Sequence, residues 1–187
     1  RDRFKLRDGV KFANGQPFTA QDVIFTFCRV MNNEQSIGGS YPAVIQKFAD
    51  VQARDGNTLV IKTHKPYPLL PNDLTRTAIL WSGIVLHGPI TFDLKNKCGV
   101  TGPWPTVADF NGGRDVIGTG PYTLKSYVKG TAIELVRNDG YWGDKPAWPA
   151  VKLVPVPAAG PRLTGLLAGD FDPVSYTHLT LPTTPYV

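Results

Sequence analysis

The chain has 187 residues, with 20 Lys and Arg against 15 Asp and Glu for a formal net charge of +5 and a pI of about 9.3. The basic side chains are spread from Arg1 to Arg162 without gathering into a run interleaved with aromatics, which argues for a solvated basic surface and against nucleic-acid binding. No window approaches the ~20 apolar residues a spanning helix needs, and the abundance of Gly and Pro favours short strands joined by long connections.

Phe4 and Leu6 share one face of a strand and Lys5 and Arg7 the other, and turns follow at Asp8-Gly9 and Asn14-Gly15. Thr19 is placed to cap a helix starting at Ala20, because Asp22 three residues on answers the exposed amides of the first turn. Val23, Phe27, Val30 and Met31 fall on one helical face with Ile24 and Cys28 beside them, so this helix packs rather than reacts. Asn32 to Ser40 is a polar loop. Tyr41-Pro42 opens a short helix through Phe48, with Val44, Ile45 and Phe48 facing inward. Val51 to Ala53 and Thr58 to Thr63 form a hairpin around Asp55-Gly56-Asn57. Pro68 to Leu74 reads as one helical segment, and the apolar run Ala78 to Leu86 as a strand.

From His87 to Arg114 the sequence predicts a long loop with one short helix near Thr106 to Asn111. In a second hairpin Tyr122 and Leu124 alternate with Thr123 and Lys125, Val128-Lys129-Gly130 turns, and Ile133 and Leu135 repeat the apolar face. Val151 to Pro157 gives one more strand. A final helix has Pro161 at its first position, Leu163, Leu166 and Leu167 on one face, and Gly169 as its stop. The class is α/β in a mixed α+β sense, without internal repeats.

Catalytic chemistry is not legible. His64 and His87 stand at no spacing from a serine, cysteine or carboxylate that makes a nucleophile and base. A zinc site from Cys28, His64, His87 and Cys98 fits no short ligand pattern. Gly118-Thr119-Gly120 opens like a dinucleotide fingerprint, but Pro121 follows and a strand stands where the phosphate-cradling helix belongs. No cofactor or metal is expected. Cys28 and Cys98 are the only cysteines; an even count permits a disulfide in an exported protein, yet Cys28 on an apolar helical face reads more simply as a buried small hydrophobe.

Three segments carry a resemblance. FKLRDGVKFANGQPFTAQDVIFTFCR, Phe4 to Arg29, matches from Leu6 to Val23 a similar "LR-x-GV-x-F-x-x-G-x-P-x-TA-x-DV" segment of the extracellular solute-binding proteins of ABC importers, in the class for dipeptides, oligopeptides, nickel chelates and some sugars. GTGPYTLKSYVKGTAIELVRNDGYWG, Gly118 to Gly143, resembles that family's central hairpin, and RLTGLLAGDFD, Arg162 to Asp172, the helix and strand that follow it. The resemblance implies a piece of a two-lobed type II periplasmic-binding-protein-like fold, an internal fragment, with 1–82 in an accessory lobe and 83–173 in the main lobe. It implies capture of a peptide, or of a nickel chelate, haem or sugar, outside the cytoplasmic membrane. Delivery to ABC permease subunits follows, from the periplasm or from a membrane-anchored lipoprotein, with neither nucleic acid nor enzymatic turnover. An extracellular hydrolase on a similar scaffold is the alternative, since fold does not fix function.

A cleft for such a solute needs aromatic walls and a few aimed polar groups. Tyr41, Trp81, Ser82 and Trp104 lie in or beside irregular segments and are the candidate ligand-binding residues, Tyr41 because the loop before its helix lies in the ligand region of family members. Tyr141 and Trp142 are assigned to packing. The peptide VSYTHLTLPT, Val174 to Thr183, equals a conceptual translation of a transposase-based sequencing adapter, so 174–187 is expected to be library read-through.

Overall fold

The helix that begins at Ala20 organises the first part of the fold. In the computed structural model, which describes residues 1–32 and 41–172, α1 spans Ala20–Asn32 and buries Ala20 and every residue from Asp22 to Cys28. The expected apolar face is inside, with Val30 and Met31 partly covered, but Phe25 is also fully buried on a different side. Helix α1 is therefore enclosed, not laid on a surface.

One flank of α1 rests on a three-stranded antiparallel sheet of β1 (Asp2–Lys5), β3 (Thr58–Thr63) and β2 (Phe48–Asp55), in the order β1-β3-β2. Phe4 stands opposite Leu59, and Val51 opposite Ile61. Successive residues Leu59, Val60 and Ile61 are all buried, as a central strand covered on both faces requires. The Asp55-Gly56-Asn57 turn forms as read, with the Asn57 amide on Asp55 Oδ1 at 2.8 Å. Its backbone also docks the preceding elements: the Gly56 carbonyl accepts from Ala20 N–H at 2.8 Å and the Asn57 carbonyl from Leu6 N–H at 2.7 Å.

Three expectations change. The helix opened by Tyr41-Pro42, α2, ends at Ile45, and Phe48 begins β2, where its ring packs 5.3 Å from that of Phe27. After α3 (Leu70–Leu74), the run Ala78 to Leu86 is not a strand: it holds a 3-10 turn at Ser82–Ile84, and only Leu86 enters a short pairing of β4 (Leu86–His87) with β5 (Val100–Thr101). The amides of Leu80 and Ser82 donate to side chains of α1 instead of to a neighbouring strand. Cys28 is buried as read, but it is not free: it forms a disulfide with Cys98, Cα to Cα 6.2 Å. The chain reaches α1 there through Lys97, Cys98 and Gly99 at φ of 47°, 57° and 79°, a left-handed run that closes a 3-10 segment over Leu94–Gly99. Helix α4 (Val107–Asn111) forms where a short helix is expected, and Thr106 proves to be its N-cap.

The second hairpin is the start of a meander, β6 (Tyr122–Val128), β7 (Ala132–Arg137) and β8 (Ala150–Leu153), in the order β6-β7-β8. None of its residues is buried. Strand β8 stops at Leu153, short of Pro155 and Pro157, which have no N–H for a ladder.

Residues 154–172 belong to a separate unit from residues 1–153. Its helix α5 (Ala159–Ala168) has Pro161 as its third residue and ends on left-handed Gly169, and Leu163, Leu166 and Leu167 are exposed. The expected loop after Asn32 and the tail at 174–187 fall outside the described residues. Among the described residues no helix is long and apolar enough to cross a membrane.

Candidate functional site

Three polar side chains of α1 point into its buried surroundings, where each must find a partner or cost free energy. Asp22 is 2% exposed. Its Oδ2 accepts from Thr19 N–H at 2.8 Å and from the Thr19 hydroxyl at 2.9 Å, so the Asp22 half of the expected cap forms while the Thr19 hydroxyl donates to it. Its Oδ1 is aimed elsewhere and accepts from Ser82 N–H at 2.9 Å. Thr26, one turn on, donates to the Asp22 carbonyl at 2.8 Å and accepts from Leu80 N–H at 3.0 Å. Gln21 Oε1 accepts from Ile90 N–H at 2.9 Å. The signature helix thus holds the irregular segment after α3 by three backbone amides.

Between two of those amides sits Trp81, half-buried and extended at φ −68° and ψ 125°. Its indole lies across Gly83, where an added Cβ would stand 2.2 Å from Cζ2. Ser82 is 8% exposed. Tyr41 reaches the same segment from α2, its hydroxyl donating to the carbonyl of Arg76. Tyr41, Trp81 and Ser82 are thereby brought to one stretch of chain, residues 76–82.

Trp104 is stacked on Phe25 of α1, ring centroids 5.6 Å apart at 22°. Six residues later Phe110 lies under the Arg29 guanidinium, 4.2 Å from Cζ to the ring centroid. Burial pushes the Arg29 guanidinium down from its ordinary value. Among the described residues, Arg29 Nε and Trp104 Nε1 are the buried side-chain nitrogens without a hydrogen-bond partner.

The glycine-rich segment after α4 is a structural junction. Four successive carbonyls are each taken by a defined donor: Gly118 by Ala13 N–H at 2.9 Å, Thr119 by Trp142 Nε1 at 3.1 Å, Gly120 by Asn138 Nδ2 at 3.0 Å, and Pro121 by Asn138 N–H at 2.8 Å. Trp142 also lies under Arg7, 4.5 Å from Cζ to the ring centroid, in accord with a packing role.

A groove of about 380 Å³ lies elsewhere, lined by Gln46, Lys47, His64, Lys65, Pro66 and Tyr67, with Lys47 Nζ 3.8 Å from the Tyr67 ring centroid. None of the four candidate residues lines it. The zinc combination set aside above has no chemical basis, because the oxidised sulfurs of Cys28 and Cys98 are not thiolate ligands.

The sequence reading identified Asp22 as a cap but missed Gln21 and Thr26 and the second use of the Asp22 carboxylate. The available signal was a carboxylate and a hydroxyl at i and i+4 within the apolar run from Asp22 to Cys28. Such groups need hydrogen-bond partners once buried, and their remaining capacity can be met by another part of the chain.

Comparison with known proteins identifies the pattern. Residues 3–185 match the bacterial extracellular solute-binding proteins, family 5 middle. Protein XP55 of Streptomyces lividans is 31% identical over 169 residues, covering 90% of this chain and 27% of that protein. The nickel-binding periplasmic protein of Escherichia coli is 29% identical over 170 residues, covering 90% of this chain and 29% of that protein. The structure of the oligopeptide-binding protein AppA from Bacillus subtilis, in complex with a nonapeptide, superposes with a TM-score of 0.70 at 27% identity, covering 90% of this chain and 31% of that one. The chain therefore spans less than a third of the length of these relatives.

Proposed function

Because the chain belongs to the family 5 bacterial extracellular solute-binding proteins, we propose that the full-length protein captures a small solute outside the cytoplasmic membrane and hands it to the permease subunits of an ABC importer, without covalent chemistry. The observation that carries this reading is the family match over residues 3–185 together with the agreement in fold with a peptide-bound relative. A peptide is the favoured solute on that agreement. A nickel chelate is the second reading, favoured by the similarity to the E. coli nickel-binding protein. The hydrolase alternative finds no support in these relatives.

In this proposal residues 1–82 belong to the accessory lobe and 83–173 to the main lobe, and a solute bridging the two lobes shifts an open and closed equilibrium by its greater affinity for the closed state. Tyr41 and Trp81 supply aromatic wall, Ser82 a hydroxyl, and Trp104 an indole N–H that has no acceptor among the described residues. We propose that residues 174–187 are read-through from library DNA, with the family match carried by the residues before them even though it extends to residue 185; genomic sequence encoding the same peptide with different codons would refute that.

Calorimetric titration of the full-length protein with a synthetic nonapeptide and with nickel bound by L-histidine tests the function. Saturable binding of one of them, with the solute recovered intact, is expected. Conversion of the solute to product overturns the proposal, and so does failure of both to bind.

A further inference from the structure

Trp81 is fixed on both sides by the signature helix. The amide before it, Leu80 N–H, donates to Thr26 Oγ1 at 3.0 Å, and the amide after it, Ser82 N–H, donates to Asp22 Oδ1 at 2.9 Å. Both acceptors belong to buried residues of α1, and they are linked to each other because Thr26 Oγ1 also donates to the Asp22 carbonyl. Beneath the ring, Gly83 leaves the space the indole occupies, since a Cβ there would meet Cζ2 at 2.2 Å and Cε2 at 2.5 Å. The backbone on either side and the bed under the ring are thus set by residues other than Trp81. An aromatic side chain in an irregular segment has no ladder to hold it, so its direction depends on such anchors, and a pre-set wall reduces the ordering cost of binding.

We propose that Asp22 and Thr26 are positioning residues for solute binding, clamping the two amides that flank Trp81 so that its indole is already in place when the solute arrives. The inference rests on the reading that Trp81 faces the solute. Asp22 alone offers two carboxylate oxygens to three donors, and Asp22→Asn turns one of those oxygens into an NH2 group facing an N–H, so either the cap or the Ser82 anchor is lost. Thr26→Val keeps the shape of the side chain and removes the oxygen that holds Leu80. Thr26→Ser restores that oxygen.

The experiment measures nonapeptide affinity and the 19F spectrum of 5-fluorotryptophan in the full-length protein, for the wild type and for Asp22→Asn, Thr26→Val, Thr26→Ser, Gly83→Ala, Trp81→Ala and the Asp22→Asn/Trp81→Ala double variant. Affinity should fall about tenfold in Asp22→Asn, Thr26→Val and Gly83→Ala, be regained in Thr26→Ser, and fall no further when Asp22→Asn is added to Trp81→Ala. The Trp81 resonance should move or broaden in the three weakened variants while that of Trp148 stays in place. Gly83→Ala leaves α1 untouched, so it keeps the test open if Asp22→Asn fails to fold. Loss of affinity in Trp81→Ala with none in the other single variants overturns the positioning role alone. No loss in Trp81→Ala, or no nonapeptide binding by the wild type, overturns the underlying reading and the inference with it.

Discussion

The α1 layer and the β6-β7-β8 meander begin from equally clear sequence signals and end in different physical states. Around α1, the apolar pattern is matched by burial: Phe25, Phe27, Ile24 and Ile61 are fully enclosed, and Gln21, Asp22 and Thr26 each accept from a distant amide. In the meander the alternation of Tyr122, Leu124, Ile133 and Leu135 produces a correct hairpin, with Leu124 opposite Leu135, yet both faces remain at least partly open. Its charged pairs, Glu134 with Lys125 at 3.4 Å and with Lys152 at 3.8 Å, are of the solvent-exposed kind that adds little. Alternation specifies a strand; only what covers the strand makes it stable.

Matched truncations sharpen this contrast most. In the 187-residue chain Phe27→Ala should cost about 3–5 kcal/mol, as for other large aromatic core residues, whereas Leu135→Ala, partly exposed in this chain, should cost about 1 kcal/mol. Denaturant midpoints report both, and equal losses would break the comparison. Next in size is the Cys28–Cys98 bond, which spans a sequence separation of 70. Cys98→Ser should lower stability by about 2–4 kcal/mol, with faster amide exchange at residues 93–99 and little change in β6 to β8.

A smaller effect belongs to the Thr106 cap of α4, where Thr106→Ala should cost about 1 kcal/mol by the same measurement. The N–H and hydroxyl of Thr106, then the Arg114 guanidinium, hold the Asp109 carboxyl below the usual carboxylate range. A group with a depressed folded pKa stabilises above its unfolded value and loses that contribution as pH falls through the folded one. Acid should therefore loosen residues 106–111 only below the ordinary carboxylate range, and Asp109→Asn should abolish that step in an NMR pH titration.

What the sequence made legible was local. The α1 start at Thr19 and Asp22, both hairpin turns, the Thr106 helix and the Gly169 stop each depend on residues a few positions apart. What it hid depended on distant partners. Phe48 reads as helical by spacing but is drawn into β2 by Phe27 and by pairing with Thr63. Ala78 to Leu86 is apolar enough for a strand, but its amides go to Asp22 and Thr26. Nothing in the spacing of Cys28 and Cys98 reveals that three left-handed residues bring the second to the first. Of the candidate residues, Tyr41, Trp81 and Ser82 converge on 76–82, whereas the stacking of Trp104 on Phe25 could not be foreseen from either sequence neighbourhood.

Hydrogen exchange of the full-length protein with and without bound nonapeptide tests most directly whether this stretch faces the solute. The account predicts that binding slows exchange across residues 76–85 while the already protected α1 and β3 stay unchanged. Slowed exchange confined to other segments, with 76–85 unaffected, would contradict it.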